Sequence, residues 1–501
     1  MPHAFTFIMP TSESSTVTDS VTVRLPLVLA AQVAHAATML RSCAVVFCLY
    51  ACGTTEDDSS DLAPAALVDT NPEPNIVEVF LVAVEATHTY LDGKPADVWA
   101  FRDGARDGSK ATIPGPLLEA KLGDTVIVHF RNELPEETTI HWHGLRVPNA
   151  SDGTPFAQMA VPPGGTYEYT FPLIDSGFYW YHPHMHGDMQ VEAGLYAPIV
   201  VHDDLAIEVA ADRVFVLDDV KLESSGKLSE RTDNLDLMLG RQGNVVLING
   251  RPHPTVSAKA GSRERWRFVN AANGRYFNLE LPGHTFRVIG WDGGPLVTPY
   301  EVSTLLMAPG ERYEVLVELA DAEGDRLELR TVHYDRGHNI PDPGPVDLLA
   351  IDLGARGAPP SALPTTWGTV QPIAVEPSSL QRRFVLREDD TIPAMPVFTI
   401  NDEAFPNVTP VRGPSGQVEI WEVENLSEMD HPFHLHGMSF QSVDAAGAAF
   451  GPLGWKDTIN VPRETTARFA VRLGAPGRWM FHCHILEHAE RGMMGELEVM
   501  P

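Results

Sequence analysis

The stretch Gly123-Asp-Thr-Val-Ile-Val-His-Phe-Arg-Asn132 decides the fold, because it is a strand that the chain repeats. Its β-branched and aromatic residues are typical of a strand with one buried face. The interval of nine from glycine to asparagine recurs in Gly261…Asn270 and in Gly416…Asn425. Three ungapped occurrences predict one β-unit that is present three times.

A second pattern follows each of these strands. Intervals of 15 and 5 residues join a proline, a glycine and a His-x-His pair in the outer copies, while the middle copy keeps only the first interval and has Leu329-Arg-Thr331 in place of the histidines. The three occurrences are Pro162…Gly177…His182-Pro-His184, Pro462…Gly477…His482-Cys-His484 and Pro309…Gly324. We therefore expect histidine chemistry in the outer copies and none in the middle one.

The composition agrees with an all-β chain of several domains. Its 41 prolines and 40 glycines often separate short apolar runs such as 124–130 and 312–318, and long helical periodicity is scarce. At 501 residues the chain has room for three domains of about 150 residues. We place them at 73–205, 206–365 and 366–501, with Pro-rich segments marking the last boundary.

The formal net charge of −31 argues strongly against nucleic acid as a partner, because its phosphates would be repelled. This charge is also typical of a soluble extracytoplasmic protein. It favours a cationic or neutral substrate over an anionic one, although solubility alone is a sufficient reason for it.

Three of the four cysteines, Cys43, Cys48 and Cys52, lie in or beside a short apolar stretch with the length of a signal-peptide core. Leu49-Tyr-Ala-Cys52 resembles the lipobox of bacterial lipoproteins. We therefore interpret 1–52 as a signal region, with 1–38 a possible over-long gene start, and 53–72 as an acidic, Ser-rich tether. The expected location is periplasmic, with a lipid anchor on Cys52; the alternative is an ordinary cleaved signal peptide.

Four His-x-His pairs stand in the outer copies. Residues i and i+2 of a strand share a face and lie roughly 7 Å apart, so each pair can present two imidazoles to neighbouring metal ions. One such pair alone is more often structural. Four pairs in two equivalent units instead predict a shared cluster of three copper ions. The pairs are His141/His143, His182/His184, His434/His436 and His482/His484.

Cys483 lies between the two histidines of the last pair, so strand alternation sends its thiolate to the opposite face. His431, His488 and Met493 are close enough in sequence to join it. Two imidazoles, one thiolate and a weak thioether favour copper in an electron-transfer role. The backbone then links this site to the histidine cluster on both sides of Cys483.

The motifs resemble those of the multicopper oxidase family, which includes laccases, bilirubin oxidases and cuprous oxidases. The resemblance covers about residues 75–501 and rests on four strings in family order: His-Trp-His-Gly (141–144), Trp-Tyr-His-Pro-His (180–184), His-Pro-Phe-His-Leu-His-Gly (431–437) and His-Cys-His-Ile-Leu-Glu-His…Met (482–493). It implies three consecutive cupredoxin-like Greek-key β-sandwich or barrel domains. It also implies four copper ions and a monomeric enzyme that reduces dioxygen to water.

The resemblance also implies a role for each ligand. His431, Cys483, His488 and Met493 would bind the type 1 copper, and His141 and His434 would bind the type 2 copper. The type 3 pair falls to His143, His182, His184, His436, His482 and His484. A reductant is expected to give single electrons to the type 1 site through an exposed edge of His488 or His431.

Proton delivery is the point at which this chain departs from the family. Asp152 matches an acid that relatives place near the type 2 copper, although an Asp in the turn Ser-Asp-Gly-Thr is equally ordinary. Relatives often carry Glu directly after the second type 1 histidine, where this chain has Ala489 and then Glu490. Cys483, Asp152 and Glu490 are therefore the candidate catalytic residues, and whether Glu490 replaces the missing acid stays open.

Other histidines and one methionine receive a simpler interpretation. His186 and His202 are expected to be non-ligands, and His129 and His284 to be structural. Met429 matches a position that some cuprous oxidases use for substrate copper, but the dense Met-rich insert of that subgroup is missing and the position four before His431 is Ser427 rather than Asp.

Three functions of different classes follow. The first is a laccase-like oxidase of phenols or aromatic amines, with dioxygen as acceptor. The second is a cuprous oxidase in copper tolerance. The third is a non-enzymatic copper-binding protein, which would not need a cysteine that links two kinds of site. A copper nitrite reductase would be shorter and lack the four pairs. The natural reductant, the redox potential and the oligomeric state do not follow from the sequence.

Overall fold

A computed structural model describes residues 62–203, 207–229, 233–338, 340, 344–376, 378–389 and 396–501. The predicted signal region with Cys52, and residues 53–61 of the predicted tether, lie outside them. Strands dominate the described residues, and the three α-helices have five or six residues each. The predicted all-β class is confirmed. Among the described residues, no helix combines the length and the apolar composition needed to cross a membrane.

Two four-stranded sheets make up the first part of the fold, in the orders β2-β1-β4-β6 and β3-β8-β7-β5. A short helix, α1 (Gly187–Glu192), precedes the last strand. The strands are β1 (Ile76–Leu91), β2 (Lys94–Asp103), β3 (Leu118–Lys121), β4 (Thr125–Asn132), β5 (His141–His143), β6 (Thr166–Pro172), β7 (Gly177–His182) and β8 (Ala197–His202).

The middle part has a six-stranded sheet, β10-β9-β12-β17-β14-β15, and a five-stranded sheet, β11-β19-β18-β13-β16. Helix α2 (Asn234–Leu239) lies between the first two strands and begins with a capping box on Asp233. The strands are β9 (Asp212–Val220), β10 (Val245–Ile248), β11 (Thr255–Lys259), β12 (Arg263–Asn270), β13 (Phe277–Glu280), β14 (Phe286–Trp291), β15 (Gly294–Val302), β16 (Thr304–Met307), β17 (Arg312–Glu318), β18 (Arg326–Thr331) and β19 (Val346–Gly354).

The last part has two five-stranded sheets, β21-β20-β23-β27-β25 and β22-β29-β28-β24-β26. Helix α3 (Leu486–Glu490) follows the strand that ends at Cys483. The strands are β20 (Leu380–Asp389), β21 (Val397–Ile400), β22 (Val411–Pro414), β23 (Val418–Asn425), β24 (His431–Leu435), β25 (Phe440–Ser442), β26 (Thr458–Val461), β27 (Thr466–Arg472), β28 (Gly477–Cys483) and β29 (Met494–Met500).

The repeated strand is β4, β12 and β23, and each copy pairs in parallel with the first strand of its own part. The asparagine at its end makes the same bonds each time. Asn132 donates to the carbonyls of Glu136 and Val161 and accepts from the Leu134 N–H; Asn270 and Asn425 bind their own equivalents. The asparagine of each repeat therefore has a structural role: its buried side chain forms the hydrogen bonds that hold the loop after the strand in place.

Large apolar cores lie within the three parts, and a further one lies between the first two. Residues of the predicted tether take part in this packing. Leu62 packs against the middle core and its carbonyl accepts from Asn249 Nδ2, while Leu67 binds the backbone of Leu117. Residues 62–68 thus pack against the folded protein and are not a solvated tether, because their apolar side chains are partly buried there.

Candidate metal centres

The four His-x-His pairs lie on or next to two pairs of adjacent strands, one in the first part of the fold and one in the last. On β5 and β7, His141 lies opposite His182. On β24 and β28, His434 lies opposite His482, and Phe433 lies opposite Cys483. Because paired residues of adjacent strands point to the same face, each outer part presents its histidines as one group.

The two groups meet face to face. His141 stacks on His436 and His143 stacks on His434, each with ring centroids 3.8 Å apart. The rings of His184 and His482 are 5.1 Å apart, and those of His182 and His484 are 5.6 Å apart. All eight imidazoles therefore converge between the first and last parts of the fold.

Their ligand atoms form four compact groups in which every nitrogen or oxygen lies within 4.8 Å of the others. The groups are His141/His434/His436, His141/His143/His182, His184/His436/His482 and His143/His434/Asp457. The three groups made only of imidazoles have the donor atoms that copper binds in proteins; in the fourth, the Asp457 carboxylate is bound by Arg312.

Several buried ring nitrogens of the cluster have no hydrogen-bond partner in the part of the chain that the structure describes, and this shows whether metal ions would fit there. Within the described residues, the unpartnered nitrogens include His141 Nε2, His143 Nδ1, His182 Nε2, His434 Nε2 and both ring nitrogens of His484. Elsewhere in the cluster, two Nε2 atoms face one another, those of His436 and His482, 3.0 Å apart. Buried polar atoms are rarely left unpaired in a protein, so this pattern fits metal ions that would accept these lone pairs.

Burial also sets the protonation state of the rings. Desolvation lowers the pKa of nine of the ten predicted ligand histidines, to about 4 at His431 and about 3 at His482. The other seven lowered pKa values belong to His143, His182, His184, His434, His436, His484 and His488. A metal-binding imidazole must be neutral, and burial keeps these rings neutral well below pH 7.

Two buried aspartates hold the ring nitrogens that point away from the cluster centre. Asp152 Oδ2 lies 3.2 Å from His436 Nδ1, and the Asp152 carbonyl lies 2.8 Å from His141 Nδ1. Asp457 Oδ1 lies 3.2 Å from His143 Nε2. Burial alone would raise the pKa of each acid, but His436 lowers that of Asp152 and Arg312 lowers that of Asp457. Both remain carboxylates that orient imidazoles.

The middle part contributes no histidine but supplies Arg312 from β17. Its guanidinium binds both oxygens of Asp457, at 2.6 and 2.5 Å, and also the carbonyls of Phe178 and Gly310. Arg312 is fully buried and thereby contacts all three parts of the fold. Gly144, directly after His143, leaves room for it, because a Cβ there would lie 2.1 Å from Arg312 Nη2.

The thiol site lies on the opposite face of β28. Cys483 Sγ is 3.5 Å from His431 Nδ1 and 3.9 Å from His488 Nδ1, and those two nitrogens are 3.3 Å apart. Met493 is buried in the same apolar cluster, and its carbonyl accepts from the Cys483 N–H. Burial raises the pKa of the Cys483 thiol, so a bound cation would be needed to hold the thiolate.

The outer nitrogens of the thiol site are bound as well. Ser427 Oγ lies 2.7 Å from His431 Nε2, and the Met238 carbonyl of α2 lies 3.0 Å from His488 Nε2. Phe398 stacks on His488 with ring centroids 3.8 Å apart. Both histidines are fully buried, so the expected exposed edge of His488 or His431 is wrong: α2 covers the site.

The two predicted proton carriers are placed differently. Asp152 touches the histidine cluster, whereas Glu490 Oε1 accepts from the Gly187 N–H of α1 and contacts none of the predicted ligands among the described residues. Glu490 is exposed at the surface, and partial desolvation of its carboxyl by the surrounding protein raises its pKa. Glu487 is buried and accepts a hydrogen bond from Asn273 Nδ2, and burial raises its pKa to about 7. Ala489 is buried and apolar.

The other singled-out residues lie away from the metal groups. His129 lies beside Glu78, His202 beside Glu119, and His284 accepts from the Ala320 N–H. His186 is exposed at the start of α1. Met429 is fully buried in the core of the last part.

Sequence reasoning missed Asp457, Arg312 and Ser427. The contact that defines Arg312 and Asp457 joins two positions that are 145 residues apart in the sequence. Arg312 has no equivalent in the repeated intervals, whereas Asp457 stands to His434 and His143 as Asp152 stands to His141 and His436. Ser427 was noticed only as a departure from the family, although its place four residues before His431 could have suggested a hydrogen bond to that ring.

Comparison with known proteins agrees with this geometry. Family models described as multicopper oxidase match residues 84–206, 218–326 and 376–501. Multicopper oxidase MmcO of Mycobacterium tuberculosis is 32% identical over 427 residues, which cover 77% of this chain and 82% of that protein. The laccase of Bacillus subtilis is 26% identical over 488 residues, which cover 83% of this chain and 93% of that protein.

Solved structures resemble the whole described fold. A multicopper oxidase from Campylobacter jejuni, described as a metallo-oxidase, superposes with a TM-score of 0.77 at 30% identity, covering 87% of this chain and 94% of that one. A laccase-like multicopper oxidase, CueO, from Ochrobactrum sp. gives a TM-score of 0.75 at 28% identity, covering 88% and 100%. With cupredoxin-type sheets, converging imidazoles and a buried thiol in place, the chain belongs to the multicopper oxidase family and is a copper-dependent oxidoreductase that uses dioxygen.

Proposed function

We propose that the protein couples four one-electron oxidations of a phenol or aromatic amine to the reduction of one dioxygen to two waters. For a phenol, four ArOH give four ArO•, four protons and four electrons, and dioxygen takes up the four electrons and an equal number of protons to give two waters. The observation that carries the proposal is the position of Cys483. It is part of the thiol site with His431, while its chain neighbours His482 and His484 belong to the eight-histidine cluster.

The ligand assignment is the one that the family motifs imply, and the group His184/His436/His482 is consistent with it. His431, Cys483, His488 and Met493 would hold the type 1 copper, and His141 and His434 the type 2 copper. The type 3 pair would use His143, His182, His184, His436, His482 and His484, giving four ions in all. Bound copper would supply reversible single-electron transfer and a place for dioxygen.

The side chains of the protein provide the setting for this chemistry. Burial keeps the imidazoles neutral and largely excludes water, while Asp152 and Asp457 fix the outer nitrogens of His436 and His143. Asp152 and Asp457 both contact the cluster, but Arg312 binds both oxygens of Asp457, so we assign proton delivery to the Asp152 carboxylate. Glu490 sits beside Gly187, farther out, and would serve as an earlier carrier.

A cuprous oxidase is the second candidate, since the Campylobacter jejuni structure is described as that of a metallo-oxidase. The position of Met429 argues against a copper-substrate site of the expected kind, because its thioether is buried in the core. We also propose a periplasmic location with a lipid on Cys52; a Cys52→Ala variant that still fractionates with membranes would contradict the anchor.

The deciding experiment measures products and stoichiometry on the copper-loaded protein. Oxygen uptake is followed with 2,6-dimethoxyphenol and, separately, with cuprous ion. We expect four phenols oxidised per dioxygen, no hydrogen peroxide, and four coppers per chain. Two phenols per dioxygen with peroxide formed would contradict the four-electron proposal. Turnover confined to cuprous ion would favour the second candidate.

A further inference from the structure

A cavity of about 540 Å³ lies beside the thiol site, on the middle part of the fold. Its lining includes Asn244, Val246, Tyr276, Thr331, Tyr334 and Arg336. Cavities of this size are typical of small-molecule sites. No residue in this lining belongs to the predicted metal ligands.

Two contacts connect the cavity to the thiol site. Arg336 Nη2 donates to the carbonyl of Leu239, and the carbonyl of the preceding residue, Met238, lies 3.0 Å from His488 Nε2. Tyr276, which also lines the cavity, packs in the same apolar cluster as Cys483. A molecule in this cavity is therefore separated from His488 by little more than the end of α2.

Arg336 is a buried cation without a matching anion. Only 2% of its surface is exposed, and among the described residues Nη1 has no hydrogen-bond partner and no carboxylate forms an ion pair with the guanidinium. Asp430, which acts on it through space, is bonded to Tyr334 and Asn460 instead. Leaving such a charge unpaired is costly.

The second cation of the cavity is already neutralised. Arg275 donates to Asp219 and to the Gly243 carbonyl. Burial lowers the pKa of the Arg336 guanidinium, as expected where no acid compensates its charge. The contrast identifies Arg336 as the group available to an incoming anion.

Aromatic side chains form a wall beside this cation. Tyr276 and Tyr334 stack with centroids 5.8 Å apart, and the Arg336 guanidinium carbon lies 5.5 Å from the centre of the Tyr276 ring. Planar rings pack well against such surfaces. The cavity thus offers an aromatic surface and one unpaired positive charge.

We propose that this cavity binds the reductant as an aromatic carboxylate, such as a hydroxybenzoate or hydroxycinnamate, with its carboxylate on Arg336 Nη1 and its ring beside Tyr276. The inference rests on the proposed function and names its substrate class. Each ring loses one electron, which enters the thiol site by way of His488, and its phenolic proton, which goes to solvent; dioxygen is the final acceptor. Although the chain has a net charge of −31, the local charge here selects an anion.

The first test compares 4-hydroxy-3,5-dimethoxybenzoate with its methyl ester on the copper-loaded protein. We expect the parent protein to prefer the acid in kcat/KM, mainly through KM, and Arg336→Gln to lose about 10- to 100-fold of that preference, because one charge-assisted hydrogen bond is removed. The ester, which lacks the carboxylate, is measured with both proteins, so that any loss common to acid and ester cancels in the ratio of the two. Arg330→Gln, which removes a cation paired with Glu280 on β18, is the matched control and should keep the preference.

A second measurement does not depend on turnover. Calorimetry should show that 3,4,5-trimethoxybenzoate binds the parent protein about 10-fold or more tightly than its amide, and that Arg336→Lys keeps part of the difference. Equal binding of acid and amide, or an acid preference that survives Arg336→Gln, would overturn the inference. If the ester is oxidised with four electrons per dioxygen but the acid is not preferred, only this inference fails; if neither is oxidised, the proposed function fails.

Discussion

Cys483 is the residue on which the two kinds of site depend, because its side chain and its backbone serve different centres. The sulfur lies in the apolar core of the last part, near His431 and His488, while the flanking histidines leave β28 on the other face. A strand is the only regular element that separates neighbouring side chains in this way. The link between the sites is thus a direct consequence of strand alternation.

Copper bound by Cys483 and two histidines is expected to colour the protein blue. Cys483→Ser should abolish this colour and more than 99% of phenol oxidation, because a hydroxyl oxygen is a poor substitute for the soft thiolate. Copper content should fall by about one ion per chain, with the histidine cluster still loaded. Visible absorption and metal analysis check this. Ala470→Ser, a buried residue of β27, controls for a new buried hydroxyl. Normal colour in Cys483→Ser would contradict the ligand assignment.

The histidines were predictable from the sequence and the residues that orient them were not. Pairs such as His141/His143 stand out because strand alternation gives them a fixed spacing that the repeats reproduce. Thr458 and Asp457, in contrast, reach His143 across more than 300 residues. Their positions depend on how the first and last parts pack, which no local spacing records.

At the level of elements, the turn before β17 brings the middle part against the cluster. Gly310 has a φ of +86°, and a Cβ there would lie 2.9 Å from the His484 ring and 3.2 Å from His143. Gly324 lies in a different turn, just before β18, and has a φ of +90° with open space around it. The two glycines share their backbone strain and differ only in what surrounds them.

Gly310→Ala is therefore expected to lower the copper content and the turnover of the protein at least about tenfold more than Gly324→Ala does. Both substitutions should destabilise the protein by roughly 1–2 kcal/mol, because alanine is unfavourable at a positive φ. Only the methyl group at residue 310 would also displace two imidazoles. Metal analysis and oxygen uptake on both variants check the difference. Equal loss in the two variants would show that the histidines tolerate the extra methyl group.

Elements were predicted well where periodicity was strong. The runs 124–130 and 312–318 form most of β4 and all of β17. The helices were missed because five or six residues carry too little periodicity to recognise. One of them, α2, changes the interpretation of the site, since its Met238 carbonyl covers the ring of His488.

For the molecule as a whole, Arg312 gives a structural role to the middle part, which supplies no histidine to the cluster. It binds Phe178 of the first part, Asp292 of its own and Asp457 of the last. Asp457 in turn lies against His143 and His434, which come from different parts. The middle part therefore fixes the distance between the two histidine groups without supplying a ligand.

Arg312→Met is expected to lower the free energy of unfolding of the copper-free protein by about 3–5 kcal/mol, because Asp457 is left as a buried charge without its partner. Arg287→Met removes a cation from an exposed pair with Glu301 and should cost less than about 1 kcal/mol. Urea unfolding of both variants gives the comparison. If Arg312→Met lowered the free energy of unfolding no more than Arg287→Met does, the proposed role of Arg312 in joining the three parts would be ruled out.

The buried histidines also make the stability of the copper-free protein depend on pH. Burial lowers the folded-state pKa of His431 to about 4 and that of His482 to about 3, while both titrate near 6.5 when unfolded. As pH falls from about 6.5 towards those values, the unfolded chain takes up protons that the folded protein cannot, so stability is present above this window and is lost through it. Each such histidine contributes roughly 1.4 kcal/mol per pH unit. Urea midpoints of the copper-free protein should therefore drop steeply between pH 7 and pH 5, and His431→Gln should make that drop shallower by about one histidine's share; a midpoint that does not change over this range would mean that the imidazoles are open to solvent.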